Sequence, residues 1–278
     1  MKLRRFAALL LAGVTALALA GCAGGEGAQN TDSSAPEGTA DLLSEIQARG
    51  ELVIALEGTW SPWSYHDEDG VLTGYDVEVG RLIARELGVE AAFVEGQWDG
   101  LFAGLDSGRY DMVINGVDVD EARSEKYDFT EPYAYNRTVI ITRADDDRIA
   151  SFEDLDGMHT ANTLASTYAA VAEQYGAETT GVDDLLQTIA LLESGRIDAT
   201  LNAEVTFYDY MDQHPDAALK IAAVSDDATT VAIPLRKGEE TASLREAVNG
   251  ALEGIRASGE LGELSQRFFG VDISSQSQ

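Results

Sequence analysis

Positive charge is scarce in this chain. Its 278 residues carry 19 Lys and Arg against 49 Asp and Glu, a formal charge of -30 at pH 7. Such a field repels a phosphate backbone, which excludes nucleic acid as a partner. Cysteine is nearly absent. Cys22 is the only one, so no internal disulfide can form. Histidine is thin as well: His66, His159 and His214 are scattered, with neither metal-ligand spacing nor a Ser-His-Asp arrangement. The expectation is a protein without metal, cofactor or catalytic residues. A membrane-spanning run is lacking too. Phe6 to Leu19 is apolar but too short, and too rich in alanine and glycine, for a transmembrane anchor.

That same run, preceded by Lys2, Arg4 and Arg5, has the order of a secretory signal. It ends in Leu19-Ala20-Gly21-Cys22, which resembles the lipobox of bacterial lipoproteins. The resemblance implies that Cys22 becomes the first mature residue and carries a lipid. Loss of residues 1–21 removes three of the 19 basic residues and no acidic one, which takes the charge to -33. Ala23 to Ala40 has no large apolar residue and is rich in Gly, Ser, Ala, Asn and Glu. It cannot bury enough surface to order itself, and a coil of that length spans about 23 Å. Residues 1–21 therefore read as a signal peptide and 22–40 as a lipidated tether on the extracytoplasmic face of the cell membrane.

From Asp41 the apolar pattern alternates between strand and helix. Asp41 to Arg49 reads as a helix stopped by Gly50, ELVIAL (51–56) as a buried strand, and Asp76 as the cap of a helix ending at Leu87 and Gly88. Val89 to Glu95 and Asp111 to Asn115 read as strands, with a helix from Trp98 between them. This alternation implies a parallel α/β sheet. TVIIT (138–142) is a further strand, and Asp145 to Arg148 break the pattern as an exposed crossover. A second unit begins at Ser151, with strands at His159 to Leu164, Ile197 to Leu201, Ile221 to Val224 and Thr229 to Pro234. Helices are expected at 166–175, 183–193, 204–213, 241–257 and 259–268.

Two stretches carry chemistry. The loop Glu57 to Tyr65 holds three rings, Trp60, Trp63 and Tyr65, which either cover a core edge or line a pocket. Trp60 follows a strand's C-terminal end, where open α/β sheets bind ligands. Asn115 to Tyr133 follows a buried run and opens a helix, with Asp120 as N-cap and Arg123 as third helical residue. A guanidinium beside free N–H groups at a helix start receives a carboxylate with two bonds.

The stretches EGTWSPWSY (57–65), LTGYDVEV (72–79), WDGLFAGLDSGRYDMVINGVDVDEARSEKYDFTEPY (98–133), FEDLDGM (152–158), LESGRIDATLN (192–202) and LSQRFFG (264–270) together resemble the amino-acid-binding family (family 3) of extracellular solute-binding lipoproteins of ABC transporters. The Asn-Gly-Val before Arg123 and the Lys-Tyr-Asp-Phe after it look most like the cystine-binding branch. The resemblance covers about Glu51 to Val271. It implies a two-lobe periplasmic-binding-protein-like fold (type II), each lobe a mixed, mostly parallel sheet flanked by helices. Lobe one would be 41–142 plus 232–278 and lobe two 146–228, with hinges near Arg143–Asp145 and Val231–Pro234. The implied function is delivery of an amino acid (cystine, another polar amino acid or a derivative) to ABC permease subunits by a monomeric, non-enzymatic receptor that closes on its ligand. A dehydratase-like enzyme on the same fold and a ligand-sensing surface domain are the alternatives.

Residue by residue, Arg123 matches the family's carboxylate-binding arginine. Asn115, Gly116 and Asp118 match the loop that meets the ligand's main-chain groups, although Asp118 stands where Ser or Thr is usual. Trp60 and Trp98 match clamping aromatics, and Glu57 an acidic position facing the ligand's side-chain end. Ala165, Ser166 and Thr167 match a helix start that completes the carboxylate site, with alanine replacing glycine. Ala203 falls where the family has an ammonium-binding aspartate, flanked by Asn202 and Glu204. Two explanations stay open: Asp118 has taken over the ammonium, or the ligand lacks one.

Overall fold

The computed structural model describes residues 41–276; the signal peptide, Cys22 and the tether lie outside the described residues. In chain order the first elements are α1 (Leu42–Arg49), β1 (Glu51–Leu56), β2 (Tyr65–His66), β3 (Leu72–Thr73), α2 (Tyr75–Leu87), β4 (Glu90–Glu95), α3 (Trp98–Asp106), β5 (Met112–Val113), α4 (Glu121–Lys126), β6 (Tyr127–Phe129) and β7 (Ala134–Asn136). Then come β8 (Thr138–Arg143), a 3-10 turn (Phe152–Leu155), β9 (His159–Asn162), α5 (Thr167–Gln174), β10 (Glu178–Gly181), α6 (Leu185–Glu193), β11 (Ala199–Ala203), α7 (Glu204–Gln213) and β12 (Leu219–Val224). The chain ends with β13 (Thr229–Val231), β14 (Pro234–Arg236), α8 (Glu239–Ser258) and α9 (Glu260–Phe269).

The strands form two main sheets, one per lobe. Lobe one has the parallel order β4-β1-β5. Successive side chains of β1 point to opposite faces. Leu52 and Ile54 join the core under α1, α2 and α8, while Ala55 joins a second cluster under α3 with Leu101, Leu105 and Val113. Helix α8 closes the first face because Leu244, Val248, Ala251, Leu252 and Ile255 recur at helical spacing, and all are buried. Lobe two has the mixed order β10-β9-β11-β8-β12, with β8 antiparallel to both neighbours. The type II two-lobe expectation holds.

The lobe boundary corrects one expectation. The expected bounds put TVIIT in lobe one, but β8 lies inside the second sheet, with Ile140 opposite Leu201 and Ile141 opposite Thr200. Its side chains are buried on both faces, which demands an interior strand. The chain therefore leaves lobe one between Asn136 and Thr138, not near Arg143–Asp145. The return is shifted likewise. Val231 to Ile233 already bond to lobe one, through Val117, Thr130 and Tyr133. The two passing strands are tied to each other at the crossing, Thr138 to Ser225 and Thr229 to Asn136.

A second correction concerns Asp76. It does not cap α2, which starts one residue earlier behind Gly74 without a side-chain cap. The N–H groups of Tyr75 and Asp76 are taken by the carbonyls of Pro62 and Trp63. Gly74 has φ 125°, and a Cβ there would lie 2.3 Å from the Trp63 carbonyl oxygen, so no capping side chain fits. Asp76 is instead fully buried.

Candidate functional site

The loops at the C-terminal ends of the parallel strands face one another across the lobes and border a cleft of about 560 Å³, part of it open to solvent. From lobe one come Glu57, Trp60, Trp98, Gly116 and Asp118; from lobe two come Ser166, Thr167 and Asn202. Eight of the expected site residues thus line one cavity. Asn115 and Arg123 are not part of the lining but bond to residues that are, Asn115 to Glu57 and Arg123 to Asp118.

Asn115 fixes Glu57 at two points. Its Oδ1 accepts the Glu57 main-chain N–H (2.7 Å) and its Nδ2 donates to Glu57 Oε2 (2.8 Å). Burial nevertheless lifts the Glu57 carboxyl to about 7; the Asn115 bond opposes the rise, while Asp184 and Asp99 add to it. Gly116 adopts φ 53°, and a Cβ there would come within 2.7 Å of the Trp60 ring. Its N–H donates to Tyr133 Oη (3.1 Å). Trp60 lines the cavity and stacks on Trp63, with centroids 5.4 Å apart. Trp63 itself is core: it is 1% exposed, packs on Tyr75 and Phe269, and donates Nε1 to Thr206 Oγ1 of lobe two (3.2 Å). Half-buried Tyr65 belongs to β2 and is not part of the cavity wall.

Arg123 is buried against the rings of Trp98 and Phe102, 5.2 and 5.5 Å from their centroids. Nη1 donates to the Asp118 carbonyl (2.9 Å), and Nη2 crosses the cleft to the Ala165 carbonyl (3.0 Å). Nε lies 3.4 Å from Asp120, whose other oxygen caps the helix through the Arg123 N–H. One N–H on each terminal nitrogen remains. Asp118 answers from its own side: its carboxylate accepts from Thr167 Oγ1 of lobe two. Burial holds its acid upward, against the hydrogen bonds of Thr167 and Thr229 and the Arg123 charge. Asp118 and Arg123 form no direct ion pair: the arginine takes the Asp118 carbonyl and the threonine takes the carboxylate.

Ala165 keeps the left-handed backbone that a glycine would supply, at φ 59°. That conformation costs a non-glycine residue about 1–2 kcal/mol. Ala165→Gly should therefore raise stability by about 1 kcal/mol and the melting temperature by a few degrees, with ligand affinity nearly unchanged. A lowered melting temperature in calorimetry would show that the cost is not there. The strained turn sets Ser166 as N-cap of α5, its Oγ accepting the Ala169 N–H (3.1 Å).

The flanks of the missing aspartate are also resolved by geometry. Ala203 is fully buried in the core. Glu204 turns to Arg137 in a two-point ion pair (2.9 and 3.1 Å) and takes no part in the cavity. Asn202 accepts the Ala203 N–H on Oδ1 and lines the cavity. Sequence reasoning missed Thr59, Asn162, Thr163, Asp184, Leu185 and Thr188, which complete the lining with Tyr168. Asn162 ends β9, so the strand-end rule that singled out Trp60 would have found it. Two buried polar atoms of the lining, Trp98 Nε1 and Asn162 Oδ1, have no hydrogen-bond partner among the described residues. Among those residues, no group of three His, Cys, Asp or Glu is placed to hold a metal ion.

Residues 52–271 match the model of the bacterial extracellular solute-binding proteins, family 3. The chain belongs to that family. It is 38% identical over 234 residues to a probable amino-acid ABC transporter-binding protein of Haemophilus influenzae, covering 84% of this chain and 90% of the relative. It is 37% identical over 262 residues to the L-cystine-binding protein TcyA of Bacillus subtilis, covering 94% and 96%. Among solved structures it is similar to the L-cystine solute receptor of Neisseria gonorrhoeae in its unliganded open conformation, at 39% identity, with 85% of this chain and all of that one covered. The TM-score to that open form is 0.58. This family 3 chain has its lobes joined by Trp63–Thr206, Arg123–Ala165 and Thr167–Asp118, so it is a closed form, and lobe rotation lowers a whole-chain score without any change of fold. The chain is a solute-binding protein of the kind that serves amino-acid ABC transporters, and its relatives are binding proteins. No helix among the described residues is long and apolar enough to cross a membrane.

Proposed function

We propose that this protein is an extracytoplasmic lipoprotein, anchored through Cys22, that closes on an amino acid and presents it to the permease subunits of an ABC importer. Cystine or another polar amino acid, or a derivative, is the ligand class. Lobe one is 41–136 plus 231–276 and lobe two 138–228, and the protein works as a monomer. Arg123 takes the α-carboxylate with its two remaining N–H groups, completed by the start of α5 at Ser166 and Thr167. Asp118 takes the α-ammonium in place of the aspartate that Ala203 has lost. Trp60 and Trp98 clamp the side chain, and Asn115 and Gly116 hold the loop.

The observation that carries this reading is the pairing of opposite charges at one seam. Asp118 and Arg123 sit five residues apart on the same loop and helix, and each already bonds to lobe two, at Thr167 and Ala165. A zwitterion inserted there meets both charges from one lobe and both helix-start groups from the other. A buried carboxylate opposite an ammonium contributes strongly to affinity.

Calorimetric titration of the mature protein with the common amino acids and cystine tests the class, alongside mass-spectrometric identification of any co-purified ligand. Saturable binding without turnover is expected. Asp118→Asn should weaken it by roughly 10-fold or more, since a charge-assisted bond becomes a neutral one. Wild-type affinity in that variant would remove Asp118 from the ammonium role. Product formation lost in Asp118→Asn would instead favour an enzyme.

A further inference from the structure

We propose that the hydrogen bond from Trp63 Nε1 of lobe one to Thr206 Oγ1 of lobe two is a closure latch outside the ligand cavity, which makes both residues positioning residues that set affinity by the same factor for every ligand. The proposal rests on the reading that the ligand is held between the lobes, and not on which residues touch it.

Of the three bonds named above that join the lobes, two use residues assigned to the ligand: Arg123 to Ala165 and Thr167 to Asp118. A bound solute competes with these or remodels them. The third is separate. Trp63 and Thr206 are each 1% exposed, and neither lines the cavity. Their bond of 3.2 Å is shielded from water and from solute alike.

Each partner is fixed within its own half of the molecule. The indole packs on Tyr75 and Phe269, with centroids 5.9 and 4.8 Å away, and the Trp63 carbonyl accepts the Asp76 N–H at the start of α2 (2.9 Å). On the other side, Phe207 anchors α7 in the core of lobe two. The Glu204 N–H bonds to the Arg137 carbonyl (2.9 Å), beside the ion pair of the same two residues. Neither group can follow the other when the lobes rotate apart, so opening breaks the bond. The same face of α7 continues the contact, because Thr206, Asp209 and Gln213 recur at helical spacing. Gln213 Nε2 lies 3.4 Å from Ser61 Oγ of the Trp63 loop. Burial raises the Asp209 carboxyl, against hydrogen bonds from Ser61 and Gln213. Gln213 is exposed and water competes with it, so the buried bond carries the effect.

The consequence follows from linkage. The apparent affinity of a two-state receptor scales with the population of its binding-competent form. A bond made only in the closed form raises that population, and its contribution does not depend on the solute.

The test measures dissociation constants of the mature protein for cystine and for each common amino acid that wild type binds. Thr206→Val keeps the shape and removes the acceptor; Trp63→Phe keeps an apolar ring and removes the donor. Each should weaken binding by about fivefold or more, the loss of one buried hydrogen bond. Thr206→Ser, which keeps the hydroxyl, should stay within about twofold of wild type. The double variant should be no weaker than the worse single one, because both changes delete the same bond. Trp63→Phe also alters the stack on Trp60, so uniformity across ligands is read from Thr206→Val. Small-angle X-ray scattering of the ligand-free protein adds a readout that needs no ligand: the radius of gyration should be larger in Thr206→Val and Trp63→Phe than in wild type. Wild-type affinity in Thr206→Val, a factor that changes from ligand to ligand, additive losses in the double variant, or equal radii would each overturn the latch. Should wild type bind neither cystine nor any common amino acid, the amino-acid reading falls and scattering alone decides: equal radii overturn the latch, and larger radii in the variants sustain it.

Discussion

Arg123→Ala will raise the dissociation constant for the amino-acid ligand by at least about 30-fold. In the proposed role the buried guanidinium pairs with the ligand carboxylate, and truncating one partner of such a pair costs about 2–5 kcal/mol. The variant loses more than a ligand contact. The bonds to the Asp118 carbonyl and, across the cleft, to the Ala165 carbonyl go as well, so the closed state itself is weakened. Asp118 also loses the positive charge that opposes its rise on burial, which impairs it as an ammonium acceptor. Arg123→Lys keeps the charge but not the fork, and a single ammonium cannot serve two carbonyls and a carboxylate from one position. Its affinity should fall between the two. Titration calorimetry beside a thermal melt separates binding from folding; Arg123→Ala within threefold of wild type would remove the arginine from the site.

The second large effect concerns stability and its pH dependence. Asp76 is fully buried, and burial raises its carboxyl to about 8; bonds from Tyr133 and the Gly116 N–H oppose the rise and the Glu57 charge adds to it. Oδ1 accepts from Tyr133 Oη (2.8 Å), the same hydroxyl that receives the Gly116 N–H, while Oδ2 has no partner among the described residues. An unfolded aspartate titrates near 3.8. Between that pH and about 8 the folded state holds a proton that the unfolded state has released. The contribution of Asp76 to stability is thus fully present below pH 3.8 and is lost as pH rises to about 8, at about 1.4 kcal/mol per unit. Asp76→Asn keeps an acceptor for Tyr133 and cannot ionise. Its stability relative to wild type should grow by a few kcal/mol between pH 4 and pH 8, measured by urea unfolding at several pH values. Other carboxylates titrate equally in both proteins and cancel in the difference. A difference that stays flat, or shrinks toward pH 8, would show that Asp76 is ionised in the folded protein. Because Tyr133 links this acid to Gly116, the same variant also reports how firmly the site loop is held.

Much of the fold was legible because it rests on local rules. The helical spacing of Leu244 to Ile255, the Asp120 cap and the Gly50 and Gly88 stops are signals written within a few residues. The TVIIT pattern marks a strand but not its lobe, because pairing partners some sixty residues away decide a strand's sheet and leave no local mark. Trp63 and Trp60 illustrate the same limit at the site. Both are tryptophans of one loop, yet packing on Tyr75 and Phe269 makes one core and leaves the other to the cavity.

The sequence by itself determined the family and, through that resemblance, the candidates Glu57, Trp60, Trp98, Gly116 and Asp118, all of which line the cavity. Only the tertiary structure decided how the charges are spent. Glu204 is neutralised by Arg137, Ala203 disappears into the core, Arg123 is turned to two carbonyls, and Asp184 and Asn162 are carried into the cavity from the other lobe. The physical reason is that a charge's role depends on its nearest partners and its access to water, and both are fixed by contacts between segments far apart in the chain.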